Sequence, residues 1–380
     1  MQKHIRFISV LALSILALAA CSGKGGNSGG ASASGRAADS GPAKMAVVLG
    51  RNSDIDDRSF TQGAWEGMKK FSADNNMPCT YFKAAEDSIS SQVDALELAV
   101  NSGAEILVMP GFPWGNAVYI GQERFPDVKM VVLDDEPHTP DYKTYAMGKN
   151  THTIYFAENE SGFLAGYAAV KEGLRNMGFL GGQAVPSVIR FGYGFIYGAD
   201  LAAQELGLAP GSVTIKYHYV GNFDPSPENQ TFAASWYSSG TEAIFAAAGG
   251  VGNVVMAAAQ QTGVGKIVIG VDVDQSGESP TVLTSAMKNL RTATYRALQE
   301  WKDGTFPGGT KVMLTAKEDG VGLPLEGDSF RFKKFTKAEY DTLFKRLVTN
   351  EGGLADNVPH NNDYKAANEI PTKVVKVSVM

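Results

Sequence analysis

The sequence predicts an α/β protein of two lobes, each built on a parallel, doubly wound sheet. Three observations predict it. Short apolar runs of strand length alternate with helical patterns over most of the chain. The alternation restarts once, near residue 156, so it forms two series of similar length. Charged residues make up 19% of the 380 and hydrophobic ones 44%, with only 2 Cys, so a packed core rather than a disulfide framework must hold the fold.

Residues 1–20 read as a targeting segment. Lys3, His4 and Arg6 form a basic start, and 8–20 is an apolar run too short to span a bilayer comfortably. The run ends Leu18-Ala19-Ala20-Cys21, the pattern of a lipoprotein signal, which predicts cleavage before Cys21 and its lipidation. Several acyl chains anchor firmly, because each buried CH₂ adds about 0.8 kcal/mol. Residues 21–43 are rich in Gly, Ser and Ala and have no hydrophobic period, so they are expected to be a flexible tether. The expected location is the bacterial cell membrane, with the body held by lipid alone and facing the periplasm or exterior.

The first series then runs strand 45–49, a helix marked by Phe60, Ala64, Met68 and Phe71, strand 79–82, and a helix marked by Ile89, Val93, Leu96 and Val100. Strand 106–109, helix 116–123 and strand 129–133 complete it. The second series gives helix 161–172, strand 177–180, helix 195–206, strand 213–219, helix 231–238, strand 243–247, helix 254–261 and strand 266–271. Strand 282–286, helix 292–302, strand 312–315 and a polar helix 337–348 follow. We expect lobe I to comprise 44–155 plus about 281–310, and lobe II about 156–280 plus 311–350, with 351–380 a C-terminal tail. Two such lobes turn their strand C-termini toward a shared cleft, where open α/β sheets bind ligands.

The net charge of −6 argues against nucleic acid as a partner. The five His residues sit in no metal-ligand or triad-like spacing, and no Gly-x-Ser-x-Gly elbow occurs. Neither an enzyme, a cofactor nor a metal site is therefore expected. Asp54, Asp56 and Asp57 resemble a metal cluster at first glance but lack the Gly and distal Glu of a calcium loop; capping the helix that begins near Ser59 suits them better. Gly249-Gly250-Val251-Gly252, after a strand, lacks full dinucleotide spacing and reads as a close backbone approach. Trp114, after a strand, is a candidate for the pocket lining and equally for the core.

Several motifs sit where the cleft would draw its contacts. They are Asp56-Asp57-Arg58-Ser59-Phe60, Asn159-Glu160-Ser161-Gly162, Arg190-Phe191-Gly192-Tyr193-Gly194-Phe195, Ala248-Gly249-Gly250-Val251-Gly252-Asn253, Gly270-Val271-Asp272-Val273-Asp274, and Leu283-Thr284-Ser285-Ala286-Met287-Lys288. In this order they resemble the basic membrane protein (BMP) family over about residues 45–323. Its best-described members are purine nucleoside receptor lipoproteins of ABC importers. The resemblance implies a two-lobe fold of the type I periplasmic-binding-protein kind with three hinge crossings, and an ABC permease and ATPase as partners. It also implies a purine nucleoside (guanosine, inosine or adenosine) as ligand.

Carried over residue by residue, Phe60 and Phe223 stack on opposite faces of the base, a clamp worth about 1–3 kcal/mol per base. Asp134 accepts hydrogen bonds from the purine edge. Gly249, Asp272 and Lys288 contact the ribose. Arg51 departs from the pattern, standing where the family usually has Asp. It could pair with Asp134 or Asp272, donate to a purine O6, or meet a phosphate. Two other readings remain at this point: a receptor for a different solute selected by Arg51, and a surface adhesin or antigen. A nucleosidase is the enzyme alternative.

Overall fold

A computed structural model describes residues 42–380. The expected targeting segment, the lipidation site Cys21 and nearly all of the tether lie outside the described residues. Among those described, no helix is long and apolar enough to cross a membrane.

The first lobe opens with β1 (Met45–Leu49), α1 (Phe60–Asn75), β2 (Cys79–Lys83), α2 (Ile89–Asn101), β3 (Ile106–Pro110), α3 (Gly115–Arg124), β4 (Lys129–Leu133) and β5 (Thr151–Phe156). The second holds α4 (Glu158–Glu172), β6 (Asn176–Gly181), α5 (Pro186–Glu205), β7 (Val213–Tyr219), α6 (Pro227–Ser238), β8 (Ala243–Ala247), α7 (Val251–Thr262), β9 (Ile267–Asp272) and β10 (Val282–Lys288). Then α8 (Leu290–Lys302) packs on α1, β11 (Thr310–Leu314) joins the first sheet, and β12 (Val321–Gly322) returns to the second. The chain ends with α9 (Lys337–Val348), α10 (Leu354–Asn357) and β13 (Val375–Val379).

The first sheet has the order β11-β5-β4-β3-β1-β2, all parallel. The second has the order β12-β10-β9-β8-β6-β7-β13, with only β12 antiparallel. Within each lobe the first five strands repeat one pattern, second-first-third-fourth-fifth, the doubly wound order with its switch point beside the first strand. Alternation along β1 explains the double winding: Met45, Val47 and Leu49 enter one core while Ala46 and Val48 enter another on the opposite face.

Five strands depart from the expected plan: β5, β12 and β13 lie where no strand was expected, and β10 and β11 change sheets. Strand β10 stays in the second sheet, because it pairs in parallel with β9, and β11 belongs to the first, because it pairs with β5. The crossings therefore fall at β5 to α4, β10 to α8, and β11 to β12. The boundaries at about 281 and 311 each shift by one strand. Within the expected tail, β13 adds a parallel edge strand beside β7.

Helices α4 and α5 lie unusually close. A Cβ added at Gly162 or Gly166 would collide with the backbone of Phe191 or Phe195, and one at Gly194 or Gly198 with that of Asn159 or Phe163. The glycines recur at i, i+4 on each helix, so two smooth stripes meet.

Candidate ligand site in the cleft

Two acidic residues end corresponding strands. Asp134 follows β4 and Asp272 closes β9, both in the left-handed region with φ of 64° and 66°. Asp tolerates that conformation better than most residues because its short side chain can bond locally. Their carboxylates meet the Lys288 ammonium, which lies 2.6 Å from Asp134 Oδ2, 3.3 Å from Asp272 Oδ1 and 3.3 Å from Glu158 Oε1. Lys288 is the last residue of β10, and Glu158 the first of α4. Arg190, on α5, donates from Nε to Glu158 Oε2 at 2.6 Å. Two cations and three carboxylates thus share one buried site, drawn from both lobes.

Burial dictates this pairing, since an isolated ion in the interior would be several kcal/mol uphill, roughly, even after relaxation. Loss of hydration pushes the Asp134 carboxyl up to about 7; Lys288 opposes the rise and Glu158 adds to it. For Lys288, burial works against the charge, but the carboxylates of Asp134, Asp272 and Glu158 overcome it and raise the pKa. Burial also opposes the Glu158 carboxylate, yet Arg190 and Lys288 hold its pKa below the ordinary value. Asp134 Oδ1 is buried with no hydrogen-bond partner among the described residues. An acceptor in that position calls for a donor.

The loop before α1 closes the site from the first lobe. Asp57 accepts from the backbone N–H groups of Ser59, Thr61 and Gln62, which caps the helix as expected. That cap presents Ser59, whose hydroxyl donates to Asp272 Oδ2 at 2.7 Å across the lobes. It also sets the half-buried Phe60 ring, whose centroid lies 4.3 Å from Lys288 Nζ, a cation–π distance. Beside it, Gln275 Nε2 donates to Arg58 O at 2.7 Å, and Arg58 pairs with Glu278 at 2.7 Å.

Phe223 lies on the same edge of the second sheet as Asp272, 37% exposed. It seats on Gly182 and Gly249: a Cβ on Gly182 would strike its ring, and Gly249 has φ of 54° with its Cβ position 3.4 Å from Phe223 Cβ. Phe60, Asp134, Asp272 and Lys288 are therefore brought together, with Phe223 and Gly249 as neighbours along that edge.

Two expected residues are placed elsewhere. Trp114 is 1% exposed and packs in the core on one face of the first sheet with Ala46, Leu107 and Val132, because the turn after β3 tucks it under the strands. Arg51 stands exposed in the turn after β1 and pairs with neither Asp134 nor Asp272, which Lys288 and Ser59 already engage. Asp135 is a cap: its Oδ2 accepts from Gly115 N at 2.7 Å at the start of α3. Glu158 carries no expected role in the sequence and Arg190 none beyond heading a motif expected at the cleft, although a signal for the pair exists. They extend the two glycine stripes by one step, as Glu158-x₃-Gly162-x₃-Gly166 and Arg190-x₃-Gly194-x₃-Gly198.

Comparison with known proteins bears on the family and the fold. The chain is similar to the ABC transporter nucleoside-binding protein BmpA of Lactococcus lactis subsp. cremoris, 30% identical over 92% of this chain and 99% of that protein. It is also similar to basic membrane protein A2 of Borrelia garinii subsp. bavariensis, 28% identical over 87% of this chain and 90% of the other. A crystal structure of ABC transporter solute-binding proteins from Aeropyrum pernix K1 aligns with a TM-score of 0.64 at 24% identity, over 86% of this chain and 90% of that one, which supports the type I periplasmic-binding-protein fold. The family model described as ABC transporter substrate-binding protein PnrA-like matches residues 44–346. The chain therefore belongs to the Bmp family and is an ABC-transporter substrate-binding protein.

Proposed function

We propose that the protein is a lipid-anchored receptor that captures a purine nucleoside between its lobes and delivers it to an ABC permease and ATPase. The observation that carries this reading is the Lys288 site, where an unpartnered buried acceptor on Asp134 and the Asp272 carboxylate flank one ammonium above the Phe60 ring. Asp134 suits a purine edge that offers N–H groups, and Asp272 with Lys288 suits the vicinal hydroxyls of a ribose. Phe60 and Phe223 supply the stacking faces. The Lactococcus relative is named a nucleoside-binding protein, which points the same way. Cys21, at the end of the apolar leader, is the proposed site of lipidation and of attachment to the outer face of the cell membrane.

Calorimetry with guanosine, inosine and adenosine tests the ligand. Binding of at least one, lost in Phe60→Ala and Asp272→Asn, is the expected result. No heat with any of the three, beside a clear response to a sugar or amino acid, sinks the nucleoside reading. Intact-mass measurement of the membrane-extracted protein, before and after Cys21→Ala, tests the anchor.

A further inference from the structure

The contacts behind Lys288 extend the site well beyond the cleft. Arg190 bonds Glu158 from one side, and its Nη1 donates to Asn361 Oδ1 at 3.1 Å from the other. Asn361 belongs to the segment after α10, beyond the part of the chain that the family model matches. That segment is fastened at several points. Asn159 Nδ2 donates to Val358 O at 3.1 Å, and Tyr193 OH to Tyr364 O at 3.1 Å. The buried Asp200 carboxylate accepts from the backbone N–H groups of Lys373, Val374 and Val375, and β13 then pairs with β7. The segment is a strap across α4 and α5, and its inner end reaches the back of the charge cluster.

We propose that Glu158 and Arg190, held by Asn361 of the C-terminal strap, are positioning residues that set where the Lys288 ammonium sits between the carboxylates of the two lobes. As a statement about ligand binding, this rests on the receptor reading above. The argument is geometric. Lys288 has four rotatable bonds and three carboxylates within 3.3 Å, so its resting place depends on how rigidly each acceptor is held. Asp134 and Asp272 lie on strand ends. Glu158 is 0% exposed and clamped by Arg190, on two helices whose glycine stripes leave no room to slide. It is the rigid acceptor among the three. Asn361 holds Arg190 from its other side.

The charges that face Asp134 are Lys288 from β10, Glu158 from α4 and Arg190 from α5, with Asp272 at the end of β9 sharing Lys288 and Tyr155 on β5 nearby. In the ligand-free protein the proton affinity of Asp134 therefore reports on this relay of contacts from Asn361 through Arg190 and Glu158 to Lys288.

The test follows the carboxyl ¹³C signal of Asp134 against pH in the ligand-free protein, in wild type, Glu158→Gln and Asn361→Ala, with nucleoside calorimetry and urea unfolding on each. Removing the Glu158 charge is expected to lower the Asp134 midpoint measurably. Asn361→Ala, which frees Arg190 from the side away from Glu158, is expected to raise the midpoint and weaken nucleoside affinity several-fold, with the unfolding midpoint close to wild type. Unmoved Asp134 midpoints in both variants overturn the proposal, as does an affinity loss in Asn361→Ala no larger than its loss of stability. If the midpoints move as expected but the wild type binds no nucleoside, the relay stands and the ligand reading fails.

Discussion

Replacing Asp134 by Asn should make the protein more stable at alkaline pH and worse at binding. The folded carboxyl titrates near 7 against an ordinary 3.8, because burial outweighs the help from Lys288. The folded protein thus holds that proton more tightly than the unfolded chain, and stability falls as pH rises from about 4 to about 7. A shift of about 3 units corresponds to about 4 kcal/mol. Opening the cleft would rehydrate the carboxylate, so this figure is an upper bound. Asn mimics the neutral acid and keeps a carbonyl oxygen for Lys288. The variant should therefore match wild type near pH 4 and exceed it by up to about 4 kcal/mol at pH 8. Urea unfolding at several pH values between 4 and 8 measures the difference. Calorimetry should show the opposite trend for a nucleoside, since half of an acceptor-only group has become a donor. Stability–pH curves that run parallel in the two proteins, or a variant less stable at pH 8, would refute the reasoning.

Three further outcomes are expected. Gly194→Ala sets a methyl against the Asn159 carbonyl, so it should destabilise by at least the roughly 1–3 kcal/mol of ordinary overpacking, read by urea unfolding. Asp200→Asn weakens the acceptor for the Lys373, Val374 and Val375 N–H groups; amide exchange over β13 should speed up by one to two orders of magnitude, about 1–3 kcal/mol, while β1 exchange is unchanged. A nucleoside 5′-monophosphate should bind at least about tenfold more weakly than its nucleoside, about 1.4 kcal/mol, because carboxylates outnumber cations at Lys288. Equal affinities in calorimetry would instead place the phosphate beside Arg51.

How far the sequence could be read depended on whether a feature is local. Strands β1, β3 and β4 are buried on both faces and show it as unbroken apolar runs. Strand β5 hides because Thr151, His152 and Thr153 are buried polar residues between two neighbours, so no apolar run marks it. The alternating polar residues of β13 suit an edge strand, and they look like tail until its pairing with β7 is known. Which sheet receives β10 is decided by its partner β9, not by its own composition, and this displaced the expected crossings. At the site, Phe60, Asp134, Asp272 and Lys288 were singled out through the family resemblance, and their clustering follows from a local feature of each: all four stand at a strand or helix end. The Glu158–Arg190 pair was not, since it joins residues 32 apart through two helices that only glycine lets approach. Trp114 misled for the converse reason: a residue after a strand faces the cleft or the core according to a single turn.

The placement of Lys288 ties the proposed ligand site to the crossings between the lobes. It ends β10 at the second crossing between lobes, and Glu158 begins α4 at the first. At the third crossing, Glu160 Oε2 accepts from Ala316 N at 2.6 Å, so the three connections are bonded to one another's neighbours. A ligand can shift the lobes only by the difference in its affinity for the open and closed arrangements. On the receptor reading proposed above, that difference would arise at the crossings, since the ammonium proposed to grip a ribose is also what spans Asp134 in one lobe and Asp272 in the other. A hydroxyl that bonds Asp272 competes with Ser59, exchanging one cross-cleft hydrogen bond for another. On that reading closure would be favoured most by the contact that has no internal substitute, the free Asp134 oxygen, and by stacking on Phe223 and on the Phe60 face turned away from Lys288. Selectivity for the base should consequently exceed selectivity for the sugar, because the base contacts are the ones that change most when the lobes meet.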